Sequence, residues 1–275
     1  MKRPEEIILS RQNALVKLTA SLSERKFRER ERLFRFDGKK LFTEALDAAL
    51  PLFAVLFKES AADRLCAAAG ERELPDGCRC VILSDELFDR ISEEKSPEGV
   101  ICVARHLDEI HTFLNADRAG AVFAPASGKT LLLESVRDPG NLGTIIRSAA
   151  AFGIAQLVLS ADCADLYHPR VIRAAMGTLF HTKVIVTNDL ISAIECLKER
   201  GSVYAAALDA SALRLGEFSF GANDAVVVGN EGHGLSTEVI EACSRKVFIP
   251  MVEGVESLNA GVASSVLLWE LYRGG

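Results

Sequence analysis

The sequence predicts an α/β protein of two domains, the second carrying an open, mostly parallel sheet. Three observations lead there. Beyond residue 130, short β-branched or leucine-rich runs recur without a charge inside them, as strands buried on both faces do. Helical patterns separate those runs, and Gly153 and Gly201 stand where two of the helices should stop. Before residue 110 a second, shorter alternation of apolar runs and Ala-rich helical patterns marks a smaller α/β domain. The expected division is therefore 1–110 and 111–275, with 106–129 as the connection because it gathers Asn115-Ala-Asp-Arg, Pro125 and Ser127-Gly-Lys.

Along the first domain the pattern predicts helices around 10–32, a helix at 38–50, a strand Leu52–Phe57 and a helix at 60–69. Strands Arg79–Leu83 and Val100–Ala104 complete it. Along the second it predicts strands Leu131–Leu133, Leu157–Leu159, Val184–Val186, Val203–Leu208, Ala225–Val228 and Val247–Ile249. Helices are expected at 141–152, 169–180, 189–200, 236–243 and 259–272. In such a sheet ligands bind beyond the carboxyl ends of the strands.

Composition narrows the class. The 275 residues are 49% hydrophobic and 25% charged, which excludes global disorder and leaves room for two cores. No run of about 18 uncharged apolar residues appears, and Met1-Lys-Arg-Pro-Glu-Glu lacks the apolar core of a secretory signal. A cytoplasmic protein is expected. The seven cysteines include one close pair, Cys78-Arg-Cys80, whose spacing matches no zinc ribbon, so reduced thiols and no metal are expected. The net charge of −6 conceals an asymmetry, because residues 1–40 carry 12 Lys and Arg against 6 Asp and Glu. Within them, Arg25-Lys-Phe-Arg-Glu-Arg-Glu-Arg-Leu-Phe-Arg35 reads either as a solvated helix laced by Glu–Arg pairs or as a phosphate-binding segment.

Three loops follow buried strands. In Val136-Arg-Asp-Pro-Gly-Asn-Leu-Gly-Thr-Ile-Ile-Arg147, Asp138-Pro139-Gly140 is turn chemistry and Asn141 can cap the next helix. Arg147 shares a helix face with Thr144, where it reads either as a phosphate-recognising guanidinium or as a surface arginine on a plain strand-to-helix connection. In Val228-Gly-Asn-Glu-Gly-His-Gly-Leu-Ser236, three glycines expose backbone amides, though neither a P-loop nor GxGxxG is present. A nicotinamide-dinucleotide site is disfavoured on that ground. In Ile249-Pro-Met-Val-Glu-Gly-Val-Glu-Ser-Leu-Asn259, Ser257 and Asn259 can cap the last helix.

Taken in order, DPGNLGTIIRSAAAFG at 138–153, HPRVIRAAMGTLF at 168–180, VVVGNEGHGLS at 226–236 and FIPMVEGVESLNAGVAS at 248–264 resemble the SpoU-type (TrmH-like) RNA 2′-O-ribose methyltransferases of the SPOUT superfamily. The first domain resembles that family's L30e-like substrate-binding module, through Phe34-Arg-Phe-Asp-Gly-Lys39 and Ser96-Pro-Glu-Gly-Val100. Asp37 stands where Glu is usual, His168 where Ser is common and Gly261 where a larger residue is common.

The resemblance implies a SPOUT fold closed by a deep trefoil knot, a homodimer through the C-terminal domain, and S-adenosylmethionine as cofactor. By position it implies donor binding by Gly229, Asn230, Gly232, Ile249, Met251, Leu258 and Asn259, with Arg147, Asn141 and Glu231 as the catalytic set. Candidate RNA contacts are Arg25, Lys26, Arg28, Lys39 and Arg173. Ribosomal RNA is the expected substrate, ahead of transfer RNA; a non-catalytic RNA-binding protein is the rival of another class, against which intact Asn141, Arg147, Glu231 and Asn259 speak.

Overall fold

Short strands, most of them four to seven residues long, build two sheets. The computed structural model describes residues 1–114, 123–209, 211–252, 254 and 257–274. The part of the expected connection at 115–122 therefore lies outside the described residues, as do Glu253, Val255 and Glu256 of the third loop.

The chain forms two units, one of 1–107 with 165–180 and one of 108–164 with 181–275. The first begins with β1 (Ile7–Ile8), α1 (Ala14–Ser21), α2 (Arg25–Glu31), β2 (Leu33–Asp37) and α3 (Lys39–Asp47). It continues with β3 (Leu52–Lys58), α4 (Ala62–Ala69), β4 (Arg79–Leu83), α5 (Asp85–Ile91) and β5 (Val100–Arg105). The sheet order is β1-β4-β3-β5-β2, with β5 antiparallel to both β3 and β2. Leu56, Val81, Ile101 and Phe88 are among the side chains that close its core.

The second unit holds β6 (His111–Leu114), β7 (Thr130–Leu133), α6 (Pro139–Ala151) and β8 (Gln156–Ser160). Helix α7 (Pro169–Ala175) then belongs to the first unit, after which β9 (Val184–Thr187), α8 (Leu190–Lys198), β10 (Val203–Ala206) and β11 (Leu213–Arg214) return to the second. Strand β12 (Ala225–Val228), α9 (Thr237–Ala242), β13 (Arg245–Phe248) and α10 (Ala260–Arg273) end it. Its eight strands run β11-β13-β10-β12-β7-β8-β9-β6, and every described pairing is parallel. From β7 the chain builds outward through β8 and β9, whereas β12, β10 and β13 lie on the other side. The order thus reverses between β7 and β12, and a crevice opens at such a point.

Several expectations change. His111–Leu114, read as connection, is an edge strand beside β9. Strand β2 was hidden because Arg35 and Asp37 interrupt its apolar residues, yet both are buried and paired through Arg35 Nη2 to Asp37 Oδ1 and Oδ2 at 2.8 and 3.0 Å. Helix α5 begins at a Ser84 cap, whose hydroxyl accepts from Leu87 N–H. The 169–180 helix is one short α7 followed by a 3-10 turn at Thr178–Phe180, because Met176 is left-handed at φ 52° and ends it. Strand β13 stops at Phe248, so Ile249 is the first residue beyond it.

The segment 165–180 packs within the first unit rather than the second. Tyr167 stacks on Phe34 with ring centres 4.5 Å apart, and Phe180 meets Phe36 at 5.2 Å. Asp165 takes Arg28 as its partner, through Arg28 Nε at 3.0 Å.

Candidate active site

The reversal between β7 and β12 brings two loop starts side by side, and β7 holds the β12 loop at both ends. Beyond β7, Glu134 Oε1 accepts from the Ser236 hydroxyl at 2.6 Å and Oε2 from Ser236 N–H at 2.9 Å. Ser236 in turn caps α9. One residue on, the Ser135 carbonyl accepts from Asn230 Nδ2 at 2.8 Å. Between those anchors the glycine-rich loop folds on itself. Asn230 N–H donates to Gly234 O at 3.0 Å and Gly234 N–H returns to Asn230 O at 2.9 Å. Asn230 Oδ1 accepts from Gly232 N–H at 2.8 Å and from His233 N–H at 3.2 Å. Gly229 is required by space: a Cβ there would lie 2.3 Å from the Gly234 carbonyl carbon.

Helix α6 starts earlier than expected. Asp138 is its cap, with Oδ1 accepting from Asn141 N–H at 2.8 Å, and Pro139 occupies the first turn. Asn141 is therefore not the cap, and its side chain is free to bridge. Asn141 Nδ2 donates to Glu231 Oε1 at 2.8 Å, while its Oδ1 accepts from Asn259 Nδ2 at 2.9 Å. Asn259 completes the chain by capping α10, its Oδ1 taking the N–H groups of Gly261 and Val262 at 2.9 and 3.3 Å. Gly261 packs close to α6, where a Cβ would stand 3.4 Å from Thr144 Cγ2, at the edge of ordinary contact. One relay, Glu231–Asn141–Asn259, thus ties the three loops together.

Beside the relay lies a cavity of about 500 Å³. It is walled by the ends of β10, β12 and β13 and by Ala260, Ala263 and Leu267 of α10. Of the expected donor-binding residues, Gly229, Asn230, Gly232, Ile249, Met251 and Leu258 line it, together with Glu231. Asn259 does not line it; its side chain is committed to the α10 cap and to Asn141. Ala206, Ala207 and Leu208 were missed, because the apolar run 203–208 reads as one strand although only its first four residues are. Ser257 also lines the cavity, whereas the capping expected of it falls to Asn259. The volume and the mixture of apolar walls with polar main-chain and side-chain groups suit a cofactor-sized ligand.

Arg147 lies on α6, exposed, and among the described residues it has no hydrogen-bonding or ionic partner. Its five donors are available to an anion. His233 lines the cavity mouth and is exposed.

The candidate RNA contacts divide. Arg28 is 2% exposed and donates to Leu22 O and Ser23 O, both at 2.7 Å, besides binding Asp165. It is a structural arginine, and its assignment as an RNA contact is corrected: no donor faces solvent. Arg35 of the same basic run is likewise buried. Arg25, Lys26, Lys39 and Arg173 are exposed or half-exposed, with surface partners Glu29, Glu24 and Glu94 for Arg25, Lys26 and Arg173. Glu94 is drawn to a higher pKa by burial, against the pull of Arg173. Among the described residues no group of three or more His, Cys, Asp or Glu could hold a metal ion.

Residues 128–269 match the SpoU rRNA Methylase family, and residues 13–102 match the MRM3-like substrate binding domain. The 23S rRNA (guanosine(2553)-2′-O)-methyltransferase RlmP of Bacillus subtilis is 31% identical over 265 residues, which span 96% of this chain and 98% of the relative. The mitochondrial rRNA methyltransferase 3 of Xenopus laevis is 27% identical, covering 93% of this chain and 73% of its own length. Among solved structures, the AdoMet-bound rRNA methyltransferase of Sinorhizobium meliloti has a TM-score of 0.78 at 25% identity, covering 98% of this chain and 97% of that one. An RNA 2′-O ribose methyltransferase has a TM-score of 0.77 at 28% identity, with 98% of each chain covered.

Proposed function

Because the chain belongs to the SpoU rRNA methylase family and shares the SPOUT fold, we propose that it methylates a ribose 2′-hydroxyl of ribosomal RNA with S-adenosylmethionine as donor. The observation that carries this is the Glu231–Asn141–Asn259 relay beside the cavity. It aligns three loops on one edge, with Arg147, which has no partner among the described residues, on the helix that carries Asn141.

The residues present fit the donor. Ile249, Met251 and Leu258 offer apolar surface to a flat adenine ring, and main-chain carbonyls along the 229–234 loop, whose amides at 230, 232, 233 and 234 are bonded within it, can read polar edges. Gly229 keeps the loop wall thin. When bound, the donor supplies a methyl carbon on a cationic sulfur. The protein's own task is alignment and the handling of one proton. Arg147 holds the phosphate next to the target ribose, and its charge lowers the pKa of the 2′-hydroxyl. Asn141 and Glu231 orient the nucleotide. A guanidinium carries donors and no acceptor, so Arg147 is not the base; the proton leaves to water.

Large-subunit ribosomal RNA is the favoured substrate, by analogy with the Bacillus subtilis relative and with a first unit that matches a substrate-binding domain. Arg25, Lys26, Lys39 and Arg173 contact its backbone in this reading. A homodimer through the second unit is supported by an exposed aromatic face. Trp269 and Tyr272 of α10 meet Phe152 at the end of α6, with ring centres 5.8 and 5.9 Å from it, and Val262 lies exposed on the same helix. A trefoil knot formed by the second and third loops belongs to the same proposal, and so does a cytoplasmic location, which rests on the substrate. No described helix is long and apolar enough to cross a membrane.

Mapping 2′-O-methyl positions in RNA from cells with and without the protein tests the substrate; unchanged ribosomal maps would overturn it. With purified protein, Arg147→Lys should cut kcat at least about tenfold because the bidentate fork is lost. Near-normal turnover would refute the phosphate role. Trp269→Glu should halve the mass seen by sedimentation, and an intact dimer would refute the aromatic interface.

A further inference from the structure

We propose that Asp162, which does not line the cavity, is a positioning residue for the donor site, acting through Ser135 and Asn230. The inference rests on reading the 229–234 loop as part of the donor site.

It starts from a strained residue. Ser135 adopts a left-handed backbone at φ 56°, a conformation that a non-glycine residue avoids. It sits at the end of β7, where the sheet order reverses. In that conformation its carbonyl reaches Asn230 Nδ2 at 2.8 Å. Asn230 in turn collects the Gly232 and His233 amides on its Oδ1. The peptide orientation at Ser135 therefore fixes the side chain that shapes the glycine loop.

What holds Ser135 there comes from the far end of β8. The Ser135 hydroxyl donates to Asp162 Oδ2 at 2.5 Å, and Ser135 N–H donates to Ser160 Oγ at 2.8 Å. Ser160 Oγ donates onward to Asp162 Oδ1 at 2.7 Å, and Arg137 Nη2 donates to Oδ2 at 2.9 Å. One carboxylate thus gathers three donors, two of which belong to Ser135 and to the serine that holds its amide. Burial opposes the charge on Asp162, but the bonds from Ser135, Arg137 and Ser160 outweigh it and bring its pKa to about 2. The network stays ionised and closed at neutral pH. A plain surface ion pair with Arg137 would need neither serine.

The test is a cycle that uses glycine's freedom. Asp162→Ala should weaken S-adenosylmethionine binding by calorimetry about tenfold (1.4 kcal/mol), the scale of a left-handed non-glycine residue left unsupported. The KM for the donor should rise in parallel, while kcat at saturating donor should change less than about twofold. In a Ser135→Gly background the same substitution should change the affinity less than about twofold, because glycine needs no support in that conformation. Thermal unfolding of each variant separates a folding defect from a site defect. Unaltered affinity in Asp162→Ala overturns the proposal, and so does a tenfold loss that persists with glycine at 135. If the unsubstituted chain binds no S-adenosylmethionine, the donor-site reading itself fails, an outcome distinct from these.

Discussion

Gly229→Ala offers the sharpest test of the loop geometry. The added Cβ would stand 2.3 Å from the Gly234 carbonyl carbon, 2.4 Å from its oxygen and 2.5 Å from Leu235 N. These are backbone atoms, so no side chain can swing away. The loop must open, and the paired bonds between Asn230 and Gly234 at 3.0 and 2.9 Å must lengthen or break. Each such bond contributes about 1 kcal/mol net, and overpacking alone costs about 1–3 kcal/mol. If the closed loop becomes disfavoured by about 2 kcal/mol, only roughly 3% of molecules remain competent, and donor affinity falls roughly thirtyfold. Calorimetric titration with S-adenosylmethionine reads this directly. Gly232→Ala is the steric comparison, since its Cβ meets nothing nearer than Asn230 Oδ1 at 3.4 Å, and it should lose less. Equal affinities for Gly229→Ala and the parent chain would refute the claim that this turn shapes the donor site.

Other outcomes follow from single contacts. Asn141→Ala removes both bonds of the relay, and kcat should fall about tenfold to a hundredfold with a smaller change in KM, measured by methyl transfer to RNA. Arg28→Met leaves the Asp165 carboxylate without its buried partner and should cost about 3–5 kcal/mol, read as a lower Tm; a neutral outcome would contradict its structural role. The His168 ring caps α7 by accepting Arg170 N–H on Nδ1 at 3.1 Å. Burial, reinforced by the nearby Arg28 charge, holds its pKa below the usual value. The unfolded chain therefore takes up this proton first. The stabilisation is complete above the unfolded pKa of about 6.5 and is lost as pH falls through the folded one. His168→Ser keeps a cap and should flatten that part of the Tm profile between about pH 5 and pH 7. A profile as steep as before would assign the proton elsewhere.

Burial also settles the cysteines. The Cys78 thiol is pushed up to about 11, and those of Cys80 and Cys243 to about 12. At neutral pH they stay protonated and react slowly. All seven cysteines are free, and the Cys78-Arg-Cys80 pair leads into β4.

Strands such as Ala225–Val228 were legible because burial on both faces leaves one composition, uninterrupted Val and Ala, that few other environments select. Strand β2 was not, because its interior contains an ion pair, and a charge in sequence reads as solvent unless its partner is known. The same limit governed the basic run at 25–35. Arg25, Arg28 and Arg35 are alike in sequence, but Arg28 and Arg35 are buried and bonded inside the first unit, whereas Arg25 stays at the surface beside Glu29.

The site shows the complementary case. Arg147 stood out because helix period placed it one turn after Thr144 and because it matches the family's arginine by position; the fold leaves it exposed with no described partner, as the proposed phosphate role requires. Glu134, Ser135 and Asp162 left no such trace, since their roles arise where β7, β8 and β12 lie side by side in the sheet. A motif within one loop can be read from spacing alone. A bond such as Asn230 to Ser135, 95 residues apart, exists only after the sheet order is set, so the support beneath a motif is what sequence reading loses first.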